Sequence, residues 1–150
     1  MRLSSRFASE QGSASLEFIT VGMVMLIPLV YLVLTMSAIQ AGALAAEGAA
    51  RQAARVFVQS ENLEAAHAAA SRAVEFALDN HGVDAAGADV TITCAPDPND
   101  CLARRGYVTV RVGVSVPLPL APPVLSGSFP LEVPLDASAT QQVSQFAGSR

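Results

Sequence analysis

The stretch Gly12-Ser13-Ala14-Ser15-Leu16-Glu17-Phe18 decides how this chain is read, because it ends at a carboxylate and opens a long uncharged run. No charged residue occurs from Phe18 to Ala46, so Glu17 stands alone at the mouth of an apolar segment. Its core, Val21 to Ile39, is interrupted only by small or weakly polar residues and by Pro28. With its Ala/Gly extension it exceeds the roughly 20 residues a helix needs to cross the hydrocarbon layer. It also exceeds the roughly 7–15-residue apolar core of a cleaved secretory signal. Pro28 is expected to kink the helix, which membrane helices tolerate better than soluble ones.

Upstream, residues 1–12 form a short polar leader carrying Arg2 and Arg6, expected to be disordered. Downstream, small residues recur at every fourth position: Ala38, Gly42, Ala46, Ala50 and Ala54. Such a stripe lets helix backbones approach closely, as membrane helix pairs do, although an Ala-rich segment also produces it by chance. Glu47 and Arg51 sit four apart, with Arg55 one turn further, the pattern of a solvated helix face. The helix and its extension therefore cover 13–58.

Ser60-Glu61-Asn62 offers a break or a fresh N-cap, and a second amphipathic, Ala-rich helix follows within 59–82. Asn80-His81-Gly82 is its left-handed stop. His67 reads as a surface residue of this helix and His81 as a turn residue.

After Gly87 the period changes from helical to two. Val90, Ile92 and Cys94 alternate with Asp89, Thr91 and Thr93. Val108 to Val116 is the cleanest strand of the chain, with valine at every second position. It ends in the stiff connector Pro117-Leu-Pro-Leu-Ala-Pro-Pro. A third run, around Leu131, Val133 and Leu135, carries prolines that place it at a sheet edge. The sheet domain is assigned to 88–138 and a flexible tail to 139–150. The fold class is α+β: a long N-terminal helix and a second helix, then a small three-stranded antiparallel sheet packed on one of them.

Composition narrows the function. The 150 residues leave room for one domain beyond the apolar segment, and 51% are hydrophobic, mostly Ala and Val. Every basic residue is Arg, and the net charge of −4 leaves no basic patch for a phosphate backbone, so nucleic-acid binding is not expected. Cys94 and Cys101 flank the turn-rich insert Ala-Pro-Asp-Pro-Asn-Asp. Their proximity after a membrane-length segment favours one disulfide in an oxidising compartment; free thiols come second and a metal site third. There is no Gly-rich phosphate loop, no paired His with a carboxylate and no nucleophile elbow, so no enzyme, metal or cofactor is expected. Ser13 lies close to Glu17 but lacks a basic partner for a nucleophile role.

Gly12, Ser13 and Glu17-Phe18 heading an apolar helix resemble the prepilin leader of type IV pilins. The pattern is similar to the Gly-x-x-x-x-Glu-Phe/Tyr form of the tight-adherence (Tad/Flp) system. Together with an Ala-rich continuation and a small β-rich tail with two Cys, the chain resembles TadE-like minor pseudopilins. The resemblance is specific over roughly residues 10–55 and afterwards one of character only.

It implies that a membrane prepilin peptidase cuts between Gly12 and Ser13. Ser13 then becomes the N-terminus, a candidate for N-methylation. Glu17 becomes the fifth mature residue, used in peptidase recognition and assembly, and Phe18 matches the aromatic that follows. Ser13 departs from the Phe or Met start of many type IV pilins. The implied partners are the peptidase, other pilins and pseudopilins, Tad membrane components and the lipid bilayer. The implied location is the inner membrane, in a single pass with the N-terminus cytoplasmic and the C-terminal domain outside, in a pilus or at its base. The basic-residue bias alone is small, since Arg51 and Arg55 balance Arg2 and Arg6, so leader and cysteines together set this orientation.

Two other readings compete. One is a single-pass anchored protein whose extracytoplasmic domain binds a partner. The other is a secreted protein, since Ala41-Gly42-Ala43 and Ala43-Leu44-Ala45 satisfy the small-x-small rule of signal peptidase.

Overall fold

A computed structural model describes residues 10–120 and 131–147. The elements are α1 (Glu10–Val58), α2 (Leu63–Asp79), a one-turn 3₁₀ helix (Ala85–Gly87), and strands β1 (Asp89–Ala95), β2 (Tyr107–Pro117) and β3 (Glu132–Gln142). This is the expected α+β arrangement. Two compact units divide inside α1, one ending at Ser37 and the other beginning at Ala38.

The described residues of the first unit are all helical. The helix starts upstream of the expected boundary: Glu10, Gln11 and Gly12 are already helical, where a disordered leader through residue 12 is expected. The rest of that leader, residues 1–9, lies outside the described residues. α1 runs through Pro28 without interruption, leaving the Val24 carbonyl without its usual helical donor.

The second unit has its core between helix and sheet. The strands are ordered β1-β2-β3, all antiparallel, with β2 in the centre. The two-residue period of β2 puts Val108, Val110, Val112, Val114 and Val116 on one face, all buried. The register sets Ile92 and Ala139 beside Val110, Val90 and Ala137 beside Val112, and Leu135 beside Val114. Against this face the core takes Ala45, Ala46, Ala49, Ala50, Ala53, Ala54 and Phe57 of α1, with Ala66, Ala70, Val74 and Leu78 of α2. Both helices therefore join the sheet in one core, where the sequence allows either.

The small-residue stripe has its partner inside this unit. Gly42, Ala46, Ala50 and Ala54 are buried, and a Cβ built at Gly42 would overlap Val116 Cγ2. The close approach is between helix and sheet, not between two membrane helices. Each fully buried Val or Leu contributes about 1.5–3 kcal/mol, so valines on the sheet supply most of what the alanines cannot.

Local signals hold the second helix. Asn62 is its N-cap, its side-chain oxygen accepting from the Ala65 N–H at 2.8 Å. At the other end Gly82 has φ +68, and the Val83 N–H returns to the Leu78 carbonyl at 3.1 Å, closing a left-handed stop.

β3 extends further than expected. The sheet continues to Gln142, which pairs with Tyr107, and Val143 is buried. The segment assigned to a flexible tail at 139–150 is thus strand through Gln142. Beyond it the chain is tied to the β1–β2 connection: the Val143 N–H donates to the Gly106 carbonyl at 2.8 Å and Arg104 Nε to the Ala147 carbonyl at 2.9 Å. Residues 148–150 lie outside the described residues.

Candidate processing and assembly segment

The residues singled out in the sequence fall in two places. Gly12, Ser13, Glu17 and Phe18 lie in the first unit; Cys94 and Cys101 lie in the second. Helical spacing places Ser13 and Glu17 one turn apart on the same face of α1. Leu16, Glu17 and Phe18 are exposed, Phe18 by 81% of its surface.

Exposure continues around the whole helix. Ile19, Val21, Met23, Val24, Met25, Leu26, Ile27 and Leu29 are all more than half exposed, so no direction around the axis is polar. A surface helix of a soluble protein shows one apolar stripe; a helix apolar all round needs an apolar solvent. The most apolar window has mean hydropathy 2.4 and none of it is buried, and this helix is long and apolar enough to cross a membrane. Two of its hydroxyls are satisfied within the helix: Thr20 Oγ1 donates to the Leu16 carbonyl at 2.8 Å and Thr35 Oγ1 to the Tyr31 carbonyl at 2.9 Å. The next charges along α1 are Glu47 and Arg51, whose exposed side chains meet at 2.9 Å. Glu17 is therefore the one charge between Ala14 and Ala46.

In the second unit, Cys94 and Cys101 are joined by a disulfide, with Cα atoms 5.1 Å apart. Cys94 sits on the core face of β1 beside Val108, and Cys101 in the turn that leads to β2. The bond closes the connection between the two strands.

The opposite face of the sheet is polar and open. Thr109 and Thr140 share a hydroxyl–hydroxyl bond of 2.8 Å across β2 and β3, and Arg111 Nε lies 3.4 Å from Asp136 Oδ1. His67 has a contact the sequence did not reveal: its ring stands edge-on to buried Phe57, centroids 5.2 Å apart. His67 follows Phe57 by ten positions, and no helical periodicity signals the contact, because it crosses the α1–α2 turn. Among the described residues no group of three His, Cys, Asp or Glu side chains could hold a metal ion. The small-x-small sites fall inside α1, where Ala45 is in the core and Gly42 lies against the sheet.

Compared with family models, with curated proteins and with solved structures, the chain matches none.

Proposed function

We propose that this chain is a non-enzymatic minor pseudopilin: a membrane subunit cut by a prepilin peptidase and assembled into a Tad-type pilus or secretion machine. The observation that carries the proposal is Glu17, the lone charge between Ala14 and Ala46 on the apolar part of α1, one turn beyond Ser13 and following Gly12 by five positions.

A carboxylate near the hydrocarbon boundary is penalised unless it is paired or reaches water. Cleavage after Gly12 would free an α-amino group at Ser13, and its cation could pair with Glu17 of a neighbouring subunit. Two groups that each resist burial would then neutralise one another as the helices pack. In this reading the leader is cytoplasmic and the disulfide-bonded domain extracytoplasmic, where an oxidising compartment maintains Cys94–Cys101.

The N-terminal sequence of the mature protein from its native host tests the proposal. A start at Ser13 is expected, and Gly12→Val should leave the leader uncut. An intact leader in the wild type would instead favour a single-pass anchored binding protein, whose polar sheet face would be the binding surface. A start at Leu44 or Ala46 would favour secretion. Glu17→Ala should still be cut but fail to join the assembly; wild-type incorporation of that variant would remove the pairing role.

A further inference from the structure

We infer that the Cys94–Cys101 disulfide is a redox latch. Oxidised, it holds segment 143–147 against the connection between β1 and β2; reduced, it releases that segment while the sheet stays folded.

The latch is built on the connection itself, residues 96–106, between Ala95 and Tyr107. Its internal backbone bonds are local: the Asp100 N–H donates to the Asp97 carbonyl at 3.4 Å, that of Ala103 to Asp100 at 3.3 Å, and that of Gly106 to Ala103 at 2.9 Å. Single turns of this kind do not fix where the connection lies on the domain. The disulfide does, by holding Cys101 to Cys94 on the core face of β1, with Cα atoms 5.1 Å apart. Cys101 and Leu102 then pack at the margin of the core.

Residues 142–147 meet residues 104–106 in five hydrogen bonds. Two are between backbones: the Val143 N–H donates to the Gly106 carbonyl at 2.8 Å, and the Arg105 N–H to the Val143 carbonyl at 3.1 Å. Three use side chains: Arg104 Nε to the Ala147 carbonyl at 2.9 Å, Arg105 Nη2 to Gln145 Oε1 at 3.1 Å, and Gln142 Nε2 to the Arg105 carbonyl at 3.3 Å. Water competes for these exposed side-chain bonds, so the backbone pair and the buried Val143 side chain decide docking.

That backbone pair depends on a conformation the chain does not prefer. Arg105 has φ +64, in the left-handed region, which a non-glycine residue keeps only where its surroundings impose it. Gly106 is packed as tightly: a Cβ there would stand 2.9 Å from the Ala103 carbonyl oxygen and 3.3 Å from that of Ala95. Opening the disulfide frees Cys101 from β1, and the connection gains conformations. Few of these present the Arg105 N–H and the Gly106 carbonyl together to Val143. The ladders from Asp89 to Ala95 and from Tyr107 to Pro117 are paired without the bond, so the loss stays local.

In the opening step a dithiol supplies two electrons and two protons. One of its thiolates attacks a sulfur of the bond, and its second thiol resolves the mixed disulfide. Cys94 and Cys101 become thiols and the reductant becomes a disulfide. Closure is the reverse exchange with a disulfide-bearing oxidant. On the reading proposed above, the chain meets reducing conditions before export and oxidising ones after it, so segment 143–147 docks once the domain is outside.

Amide hydrogen exchange on the full chain in detergent micelles tests the latch. Three forms are compared: the oxidised chain, the chain opened by dithiothreitol (both thiols verified by alkylation and mass), and the double variant Cys94→Ala with Cys101→Ala. The Val143 and Arg105 amides are expected to exchange at least about tenfold faster in both disulfide-free forms, while Val110 and Val112 of the central strand change by less than about twofold. Equal protection of Val143 in all three forms overturns the latch, because the segment then docks without the bond. A common rise at Val143, Val110 and Val112 also overturns it, because the bond then staples the whole domain. So does a rise in only one of the disulfide-free forms, because the effect then belongs to the substitution or the reagent. None of these outcomes depends on cleavage after Gly12, so the latch and the pseudopilin reading fail separately.

Discussion

Between Leu16 and Met36, α1 carries Leu, Ile, Val, Met and Phe side chains that are largely exposed; between Ala45 and Phe57 it carries alanines that are fully buried. One continuous helix thus inverts the usual relation of size to burial. Large apolar residues in the first stretch are exposed among the described residues, on a helix long and apolar enough to cross a membrane. Alanines in the second stretch are buried in one core with the valines of β2 and the inner side chains of α2, where small side chains allow close packing. Hydrophobicity alone does not separate the two stretches. Residue volume does.

The sharpest break of this contrast uses its two phenylalanines. Phe57 is fully buried at the end of the alanine rows, with His67 against its ring. Phe57→Ala is expected to destabilise the folded domain by about 3–5 kcal/mol, a large share of a small domain's stability. Phe18→Ala, at an 81% exposed position, should change it by less than about 0.5 kcal/mol. Denaturant unfolding in detergent micelles, followed by circular dichroism of the sheet, measures both. Equal losses would mean that the first stretch is also supported by protein contacts.

Two glycines sharpen the same contrast at smaller magnitude. A Cβ at Gly42 runs into Val116 and comes within 3.1 Å of Leu135 Cδ1, while one at Gly22 meets nothing within 4 Å. Gly42→Leu is therefore expected to cost about 1–3 kcal/mol through overpacking. Gly22→Leu removes a helix-weakening residue at a free position and should leave domain unfolding unchanged. If Gly42→Leu unfolds at the wild-type denaturant concentration, the helix and sheet are not in the close contact that the alanine rows imply.

Much of this was legible in the chain, and the gaps have physical causes. Valine at every second position from Val108 to Val116 allows only a strand with one buried face, and that strand is the sheet's centre. Asn62 and Gly82 mark their helix ends by backbone chemistry that is local, so a sequence displays it directly. The disulfide could be favoured because Cys94 and Cys101 bracket a turn. The second half of β3 was hidden because its inward residues are Ala137 and Ala139 and its outward ones Ser138 and Thr140. Small against polar is weak alternation, and the strand is held there by pairing with β2, a contact between distant parts of the chain. The small-residue stripe was visible, but its partner was not: the same spacing serves a membrane helix pair or a sheet, and only the fold chooses. In the processing segment, residue types and spacing were all in the sequence; what the structure adds is that Leu16, Glu17 and Phe18 are exposed on a helix with no polar side.

The smallest expected effect lies just past the boundary, at the Glu47–Arg51 pair. Both side chains are more than half exposed, so water screens the 2.9 Å contact and the helix must fix two long side chains to keep it. Glu47→Ala should therefore cost no more than about 0.5 kcal/mol, with alanine's better helix propensity offsetting part of the lost pair. Adding salt should shrink the difference further, as it does for surface ion pairs. A loss above about 1 kcal/mol that persists in high salt would exceed what an exposed pair supplies. It would show that Glu47 is held in a partner's surface or at the lipid boundary, and that the change of surroundings along α1 comes later than Ala46.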